Sequence, residues 1–242
     1  MQNPIDLSVA VGTWVRESPL TSRVFERMGI DYCCGGKQSL EDACLRRNLD
    51  PRIVADELQA ALSEPTDSSD ENFGSLSQTE MYDTIVATHH EFMKSELPRL
   101  TTLPAKVRQV HGEKYQWLGD LDRAFTRLRE ELQPHMFKEE QVLFSAIRSL
   151  ERSNSLPSFP FGSIENPVHM MEHEHNEAGA ALEQICEATS NFSIPADACN
   201  TCRALPDGQR ELQSDPHVHI HKENNILFPL ATQRAVSLKG KS

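Results

Sequence analysis

Two short stretches of the sequence repeat one pattern of metal-ligating residue types. Residues 135–144 read HMFKEEQVLF and residues 219–228 read HIHKENNILF, so each opens with a histidine followed four residues later by a glutamate. Residues at that spacing share one face of a helix, one turn apart. Two such faces in opposition would gather two imidazoles and two carboxylates, which predicts a metal site. The pairs are His135 with Glu139 and His219 with Glu223.

Both stretches lie within long amphipathic patterns. From about residue 79 onward, apolar residues recur at steps of three and four, which predicts helices. The first helix is predicted to end at Leu97, before Pro98; the second covers about 113–150, the third about 164–189, and the fourth ends near Thr232. Four such helices with connections of modest length predict an all-α fold, an antiparallel four-helix bundle.

Polar residues fall on the core-facing stripes of these helices. A buried imidazole or carboxylate without a partner is costly, and metal ions would supply partners for all of them. The candidate ligands are His90, His135, Glu139, His175, His219 and Glu223. His89 lies on a neighbouring stripe and competes with His90. His217 and His221 flank His219 and leave an H-x-H zinc arrangement as an alternative.

Four histidines and two glutamates suit two metal ions, each with two imidazoles, that share two bridging carboxylates. Mixed nitrogen and oxygen ligation without cysteine favours iron, manganese or zinc. A carboxylate-bridged pair buried in a helical bundle favours two non-haem iron ions.

The N-terminal region reads as a separate small helical domain over residues 1–62. Ser18-Pro19 begins a helix that stops at Gly29, Ser39 and Asp42 form a capping box, and Asp50-Pro51 begins a helix through Leu62. Residues 63–78 are acidic and rich in serine, which predicts a flexible linker, and residues 79–242 then form the bundle.

The loop at residues 31–36 carries two adjacent cysteines between an aspartate and two glycines. Adjacent cysteines do not easily close a relaxed disulfide. Cys33 and Cys34 are therefore either two small loop residues or an exposed thiol pair able to bind or exchange a soft metal. Cys199 and Cys202 form a lone CxxC, which we interpret as incidental.

Composition restricts the class of partner and the compartment. A formal net charge of −12 argues against nucleic acid, whose phosphates require a basic surface. No apolar run reaches the roughly 18 residues of a membrane span, and the first residues do not resemble a signal peptide. We therefore expect a cytoplasmic protein with reduced thiols and no membrane partner.

With these motifs in view, the sequence resembles the iron–sulfur cluster repair di-iron proteins, which join a short N-terminal domain to a hemerythrin-like bundle. The resemblance spans nearly the whole chain. It rests on DYCCGGK at 31–37, HMFKEEQVLF at 135–144, EHNEAG at 174–179 and HIHKENNILFP at 219–229.

The resemblance implies a role for each candidate residue. It makes His90, His135, His175 and His219 terminal iron ligands and makes Glu139 and Glu223 bridges, and it selects His90 over His89. Cys33 and Cys34 become candidate iron-transfer thiols. Pro134 and Pro216 depart from a regular helix near these residues, which predicts a kink in the second helix and in the fourth.

The function implied by the resemblance is repair of iron–sulfur clusters damaged by nitric oxide or peroxide, with iron supplied from the di-iron centre. Damaged iron–sulfur proteins would be the clients, and nitric oxide or oxygen the small-molecule ligands; a homodimer is left open. Two alternatives use the same site: an enzyme that reduces nitric oxide to nitrous oxide, and a carrier or sensor of oxygen or nitric oxide. Substituting both cysteines would separate iron delivery from nitric oxide reduction.

Overall fold

The computed structural model describes residues 5–63, 73–188 and 215–240, and the regular elements in these ranges are helices. No helix in these ranges is both long and apolar enough to cross a membrane. The chain divides into two compact units. The first is drawn from Met1–Tyr82, Leu150–Pro157 and His217–Ser242, and the second from Asp83–Ser149 and Ser158–Pro216.

Four short helices form the N-terminal part of the first unit: α1 (Val11–Glu17), α2 (Leu20–Met28), α3 (Leu40–Arg46) and α4 (Pro51–Ala61). Two of the predicted signals operate, because Gly29 ends α2 with a φ of 66° and Ser39 caps α3 by accepting from the Asp42 amide. Asp50 likewise caps α4. The predicted cap at Ser18 is wrong, since Pro19 occupies the N-cap position of α2 and no side chain caps that end. The proposed linker at 63–78 stays a prediction, since residues 64–72 lie outside the described ranges.

Three long helical stretches build the second unit. The first contains α5 (Gln78–Ile85) and α6 (Glu91–His111), the second contains α7 (Trp117–Lys138) and α8 (Phe144–Arg152), and the third is α9 (Glu165–Ala188). Helices α6 and α9 both pack against α7. Their shared core is apolar and includes Met93, Leu97, Leu121, Phe125, Leu128, Leu182 and Ile185.

The first long helix does not end at Leu97, contrary to the sequence prediction. Helix α6 continues through Pro98 and Pro104 to His111, and α7 continues through Pro134. Pro98 and Pro134 are exposed, so the carbonyl groups that lose a helical partner can bond to water. The packing of α6 on α7 therefore outweighs the tendency of a helix to end before a proline.

The fourth long helix belongs mainly to the first unit. It comprises α10 (residues 215–222) and α11 (Phe228–Lys239), with Pro216 in its first turn. Ile220 is 3% exposed and joins the N-terminal core beside Tyr32 and Leu40. Helix α11 ends at Lys239, so the predicted end near Thr232 is too early. Leu212, Cys199 and Cys202 lie outside the described residues.

Three π-helical segments interrupt the long α-helices, at Val86–His90, Glu139–Leu143 and Glu223–Leu227. Each holds one residue more than an α-helical turn, so the buried stripe moves on by one position. Val142 lies three residues after Glu139, so the regular helical spacing predicts it in the core; it is 42% exposed, and Leu143 is 1% exposed in its place. In the second copy the shift is visible only further along, because Ile226 and Leu227 are both buried, whereas Ala231 is buried and Leu230 is only partly so.

Candidate metal centre

Four of the six predicted ligands converge within the second unit, around the carboxylate of Glu139. Its oxygens lie 3.3 Å from Nε2 of His135, 3.4 Å from Nε2 of His90 and 3.6 Å from Nε2 of His175. Nε2 of His135 and Nε2 of His175 are 3.1 Å apart. All four side chains are 2% exposed or less, and Glu139 is fully buried.

Local structure places each ligand. His135 lies in the last turn of α7, and Glu139 begins the π-helical segment that follows. His90 ends the segment Val86–His90, whereas His175 projects from the middle of α9. Inserted π turns are frequent at functional sites, because the added residue redirects the side chains around it.

Two further carboxylates, absent from the sequence prediction, fix the orientation of two imidazoles. Nδ1 of His90 donates to Oε1 of Glu140 at 2.8 Å, and Nδ1 of His135 donates to Oε2 of Glu174 at 2.8 Å. With Nδ1 held by a carboxylate, Nε2 is the nitrogen of each ring that would bind a metal ion. In the sequence, Glu140 directly follows Glu139 and Glu174 directly precedes His175. This adjacency to predicted ligands is the signal that could have identified the two carboxylates.

The carboxylates are themselves held by lysines. Nζ of Lys94 lies 3.0 Å from Oε1 of Glu140, and Lys138 pairs with Glu174. The pKa of Glu174 is lowered to about 2, first by its hydrogen bond to His135 and further by Lys138, against a smaller effect of burial. Glu174 is thus a permanent anion behind the imidazole.

The buried donors fit a bound cation. Neither oxygen of Glu139 accepts a well-formed hydrogen bond from the described residues, although both are buried. Two donors each about 2.1 Å from one ion, at about 90–110°, lie about 3.0–3.4 Å apart, close to the separations seen here. The imidazole nitrogens and the carboxylate face one another, and a cation between them would satisfy all of these donor atoms.

Protons and metal would compete for these atoms. Burial lowers the pKa of His135, but the charge of Glu139 and the hydrogen bond to Glu174 outweigh burial and raise it to about 9. Burial would raise the pKa of Glu139, yet His135 and the other imidazoles hold it well below its usual value. Both shifts favour a proton on the imidazoles that face an anionic Glu139, so a bound cation would take the place of that proton.

The remaining two predicted ligands lie together in the first unit. Nε2 of His219 is 3.1 Å from Oε1 of Glu223, and the two are 5% and 0% exposed. His219 lies on α10, and Glu223 begins the third π-helical segment. The arrangement repeats that of His135 and Glu139, as the shared sequence pattern predicts.

The competing histidines face other partners. Nδ1 of His89 lies 2.7 Å from Oδ1 of Asp215, which leaves His90 as the histidine directed at Glu139. The rings of His217 and His221 lie 6.2 Å and 5.7 Å from the ring of Tyr32. Residues two apart on a helix point about 200° apart, which accounts for their separation from His219.

The loop of residues 31–37, hereafter the thiol loop, is folded around Asp31. Oδ1 of Asp31 accepts from the amides of Cys33 and Cys34, each at 3.0 Å, and Oδ2 accepts from Gly35 at 2.9 Å. No disulfide joins the two thiols, whose Sγ atoms are 3.8 Å apart. The expectation of an exposed pair is wrong for Cys33, which is 3% exposed, whereas Cys34 is partly exposed.

A cavity of about 250 Å³ in the second unit reaches His135. Four carboxylates line it, together with Pro134, Lys138 and His135; they are Glu130, Glu131, Glu174 and Glu177. An acidic lining concentrates cations near a ligand of the site.

Comparison with known families accounts for this arrangement. Residues 81–231 match the family model described as "Hemerythrin HHE cation binding domain", and residues 8–62 match "Domain of Unknown function (DUF542)". The first match covers more than half of the chain. The protein is thus a member of the hemerythrin-like, cation-binding class, a helical bundle preceded by a small helical region, and the predicted fold class is confirmed.

Curated relatives narrow the class to one family. The chain is 38% identical over 221 residues to the iron-sulfur cluster repair protein YtfE of Enterobacter sp. (strain 638), which covers 91% of this chain and 95% of that protein. It is 37% identical over 213 residues to the proteins of the same name from Escherichia coli O8 (strain IAI1) and Shigella boydii serotype 4 (strain Sb227), covering 88% of this chain and 91% of theirs. The chain belongs to the iron–sulfur cluster repair protein family, and the resemblance drawn from its motifs is confirmed.

Proposed function

We propose that this protein repairs iron–sulfur clusters damaged by nitrosative or oxidative stress, and that it supplies iron from a carboxylate-bridged di-iron centre. The observation that carries the proposal is Glu139, a fully buried carboxylate faced by three imidazole nitrogens 3.3–3.6 Å away. The names of the curated relatives support repair over nitric oxide reduction and over gas carriage.

In this proposal two iron ions are held by all six ligands. His90, His135, His175 and His219 are terminal ligands, and Glu139 and Glu223 bridge. The equal spacing of the two histidine–glutamate pairs supports the assignment, as does the family match, which spans residues 81–231. Iron so bound would be a releasable store, because carboxylates hold ferrous iron less tightly than cluster thiolates do.

The chain's own groups would control release. Glu140 and Glu174 keep Nδ1 of two ligands protonated and Nε2 available. The acidic cavity beside His135 offers a route lined by groups that attract a departing cation. Cys33 and Cys34 would contact the client, since a thiol pair is a better ligand than water for iron in transit.

The clients in this proposal are iron–sulfur proteins with broken clusters, met in the cytoplasm by the chain alone or as a homodimer. Nitric oxide and oxygen would reach the site as small-molecule ligands. The clients extend the name of the relatives, iron-sulfur cluster repair protein.

The first test is elemental analysis of protein purified without oxygen. Wild type should contain about two irons per chain, and the double substitution Glu139→Ala with Glu223→Ala should lose them. Glu183→Ala, an exposed glutamate on α9, is the matched control and should retain them. One zinc per chain, or no metal in wild type, would contradict the proposal.

The second test is transfer. Iron-loaded protein should restore activity to an enzyme whose [4Fe–4S] cluster has been broken by nitric oxide, with added sulfide and reductant. Substituting Cys33 and Cys34 by serine should slow the restoration and leave the bound iron in place. Equal restoration by free ferrous iron at the same concentration would argue against a specific repair role.

A further inference from the structure

Asn225 connects the metal-binding helix to the thiol loop, and the proposed repair chemistry assigns it no role. It lies two residues after Glu223, in the π-helical segment Glu223–Leu227. Its Nδ2 donates to the carbonyl oxygen of Cys33 at 3.0 Å and lies 3.3 Å from the carbonyl oxygen of Tyr32. One amide group thus joins residues that are 192 positions apart in the chain.

The other side of the Asn225 amide is enclosed by two glycines. A Cβ added at Gly12 would lie 2.8 Å from Oδ1 of Asn225, and one added at Gly36 would collide with the same oxygen. The amide of Gly12 donates to the carbonyl of Gly36 at 2.9 Å, so α1 and the thiol loop are joined where Asn225 enters. Helix α1 also packs against the segment Glu223–Leu227. The absence of two side chains makes room for this one amide.

We infer that Asn225 is a positioning residue that fastens the thiol loop to the π-helical segment carrying Glu223, and so couples metal binding to thiol exposure. The coupling rests on the proposed function, because it requires Glu223 to be a metal ligand. A metal held by Glu223 fixes the segment, and Asn225 transmits that order to the loop. Coupling is reciprocal, so an undocked loop also favours release of the metal.

The reactivity of Cys33 reports whether the thiol loop is docked, that is, held against the segment Glu223–Leu227 by Asn225. The side chain of Cys33 is 3% exposed, so a reagent reaches its sulfur only after the loop leaves the helix, whereas Cys34 is partly exposed in the docked state. A typical hydrogen bond changes an equilibrium by up to about tenfold. Loss of the Asn225 contacts should therefore raise the open fraction by about that factor.

The test is alkylation of Cys33 by iodoacetamide in the full chain, followed by peptide mass spectrometry with and without bound iron. In wild type, iron should slow the reaction. Asn225→Ala should speed it about tenfold without iron and should abolish the difference made by iron. Asn225→Asp keeps the shape but turns a carboxylate toward two carbonyls, and it should have the same effect without leaving a cavity.

Arg234→Ala is the matched control. Arg234 also lies on the fourth long helix, and it donates to two carbonyls, those of Leu150 at 3.2 Å and Ser153 at 2.7 Å, without contacting the thiol loop. Its loss should leave the iron-dependent slowing intact. A purely structural role for Asn225 would make the two variants behave alike, and that result would overturn the inference.

The contact between Asn225 and the thiol loop can also be tested by a substitution at Gly12. Gly12→Ala should displace the Asn225 amide and speed alkylation of Cys33, and adding Asn225→Ala should produce little further change. Fully multiplicative effects in this double-mutant cycle would show that the two positions act independently, contrary to the inference.

The outcomes separate this inference from the proposed function. If iron content and cluster restoration are normal but the alkylation rate of Cys33 does not depend on iron, the coupling is overturned and the repair function still stands. If wild type binds no iron, repair fails, and the iron-free rates of Asn225→Ala and Arg234→Ala still decide whether Asn225 holds the loop.

Discussion

Glu174 shows how one residue outside the ligand set prepares a ligand. Its carboxylate accepts from Nδ1 of His135 and pairs with Lys138, which leaves Nε2 of the imidazole as an acceptor. Glu140 and Lys94 form the same arrangement behind His90. Such partners fix the tautomer and the ring orientation of a ligand, and they raise its basicity.

Glu174→Gln should weaken iron binding by about 10- to 100-fold, because an amide holds the imidazole less firmly than a carboxylate does. The measurement is competition for ferrous iron against a chromophoric chelator without oxygen. Glu183→Gln on the same helix is the control. Equal affinities for the two variants would show that the contact to His135 has no influence on the metal.

Cys33 is a residue whose surroundings keep it a neutral thiol. Its contact with Cys34, then burial, then the charges of Cys34 and Asp31 all raise the pKa of Cys33. A protonated thiol is a poor nucleophile and a poor metal ligand. The docked loop therefore protects Cys33 by electrostatics as well as by burial.

Asp31→Asn should lower the pKa of Cys33, because it removes a negative charge beside the sulfur; the asparagine oxygen can still accept from Cys33 and Cys34, and only the bond from the Gly35 amide is lost. At a fixed pH near 8 the thiolate fraction then rises, and the alkylation midpoint moves to lower pH. Alkylation of Cys33 measured across pH tests this. Asp42→Asn removes one charge at the start of α3 and should leave the profile in place; an identical shift there would point to net charge instead.

At the scale of elements, the π-helical segments combine two requirements. Glu139 and Glu223 each begin such a segment, and His90 ends one. The extra residue lets a polar ligand point inward and still returns the following helix to an apolar face, at Leu143, Phe144 and Ile147 in the first copy. Phe144 also stacks on His90, with ring centroids 5.8 Å apart.

Deleting Gln141, an exposed residue of the segment Glu139–Leu143, should convert it to a regular α-helix. Everything after it would turn by about 100°, which rotates Phe144, Ile147 and Leu150 out of the core. We expect a loss of about 3–5 kcal/mol in the free energy of unfolding, measured in urea. Deleting Ser155, which is exposed after α8, should cost little; equal losses would mean that the extra residue is dispensable.

At the scale of the whole molecule, bound metal should contribute to stability. The buried carboxylate and imidazoles are poorly satisfied by one another, so a cation bound only by the folded state stabilises it. At about 100 times its dissociation constant such a ligand adds about 2.7 kcal/mol. For a chain of this size that corresponds to about 5–10 °C in melting temperature.

Removing iron with a chelator should thus lower the melting temperature by that amount, and restoring ferrous iron without oxygen should recover it. Calorimetry of both forms provides the measurement. The double substitution Glu139→Ala with Glu223→Ala should melt at one temperature in either condition. If the melting temperature of the wild type did not depend on iron, metal binding would not be coupled to folding.

The sequence alone determined the candidate ligand pairs, because a histidine and a glutamate four residues apart meet through the local geometry of one helix. The pairs His135 with Glu139 and His219 with Glu223 needed no information beyond that spacing. The caps at Ser39, Asp50 and Gly29 were predictable for the same reason, since each involves neighbouring backbone groups. The fold class followed from four amphipathic patterns of helical period.

Only the tertiary structure decided the rest. Packing carried α6 through Pro98 to His111, and the inserted π turns exchanged Val142 for Leu143 in the core. Contacts between elements fixed the pairing of Glu174 with His135 and the reach of Asn225 to Cys33. These contacts join residues that are 39 and 192 positions apart in the chain. The free energy of such packing depends on the whole assembly of helices, whereas the free energy of a helix cap or an i,i+4 pair depends on a single turn.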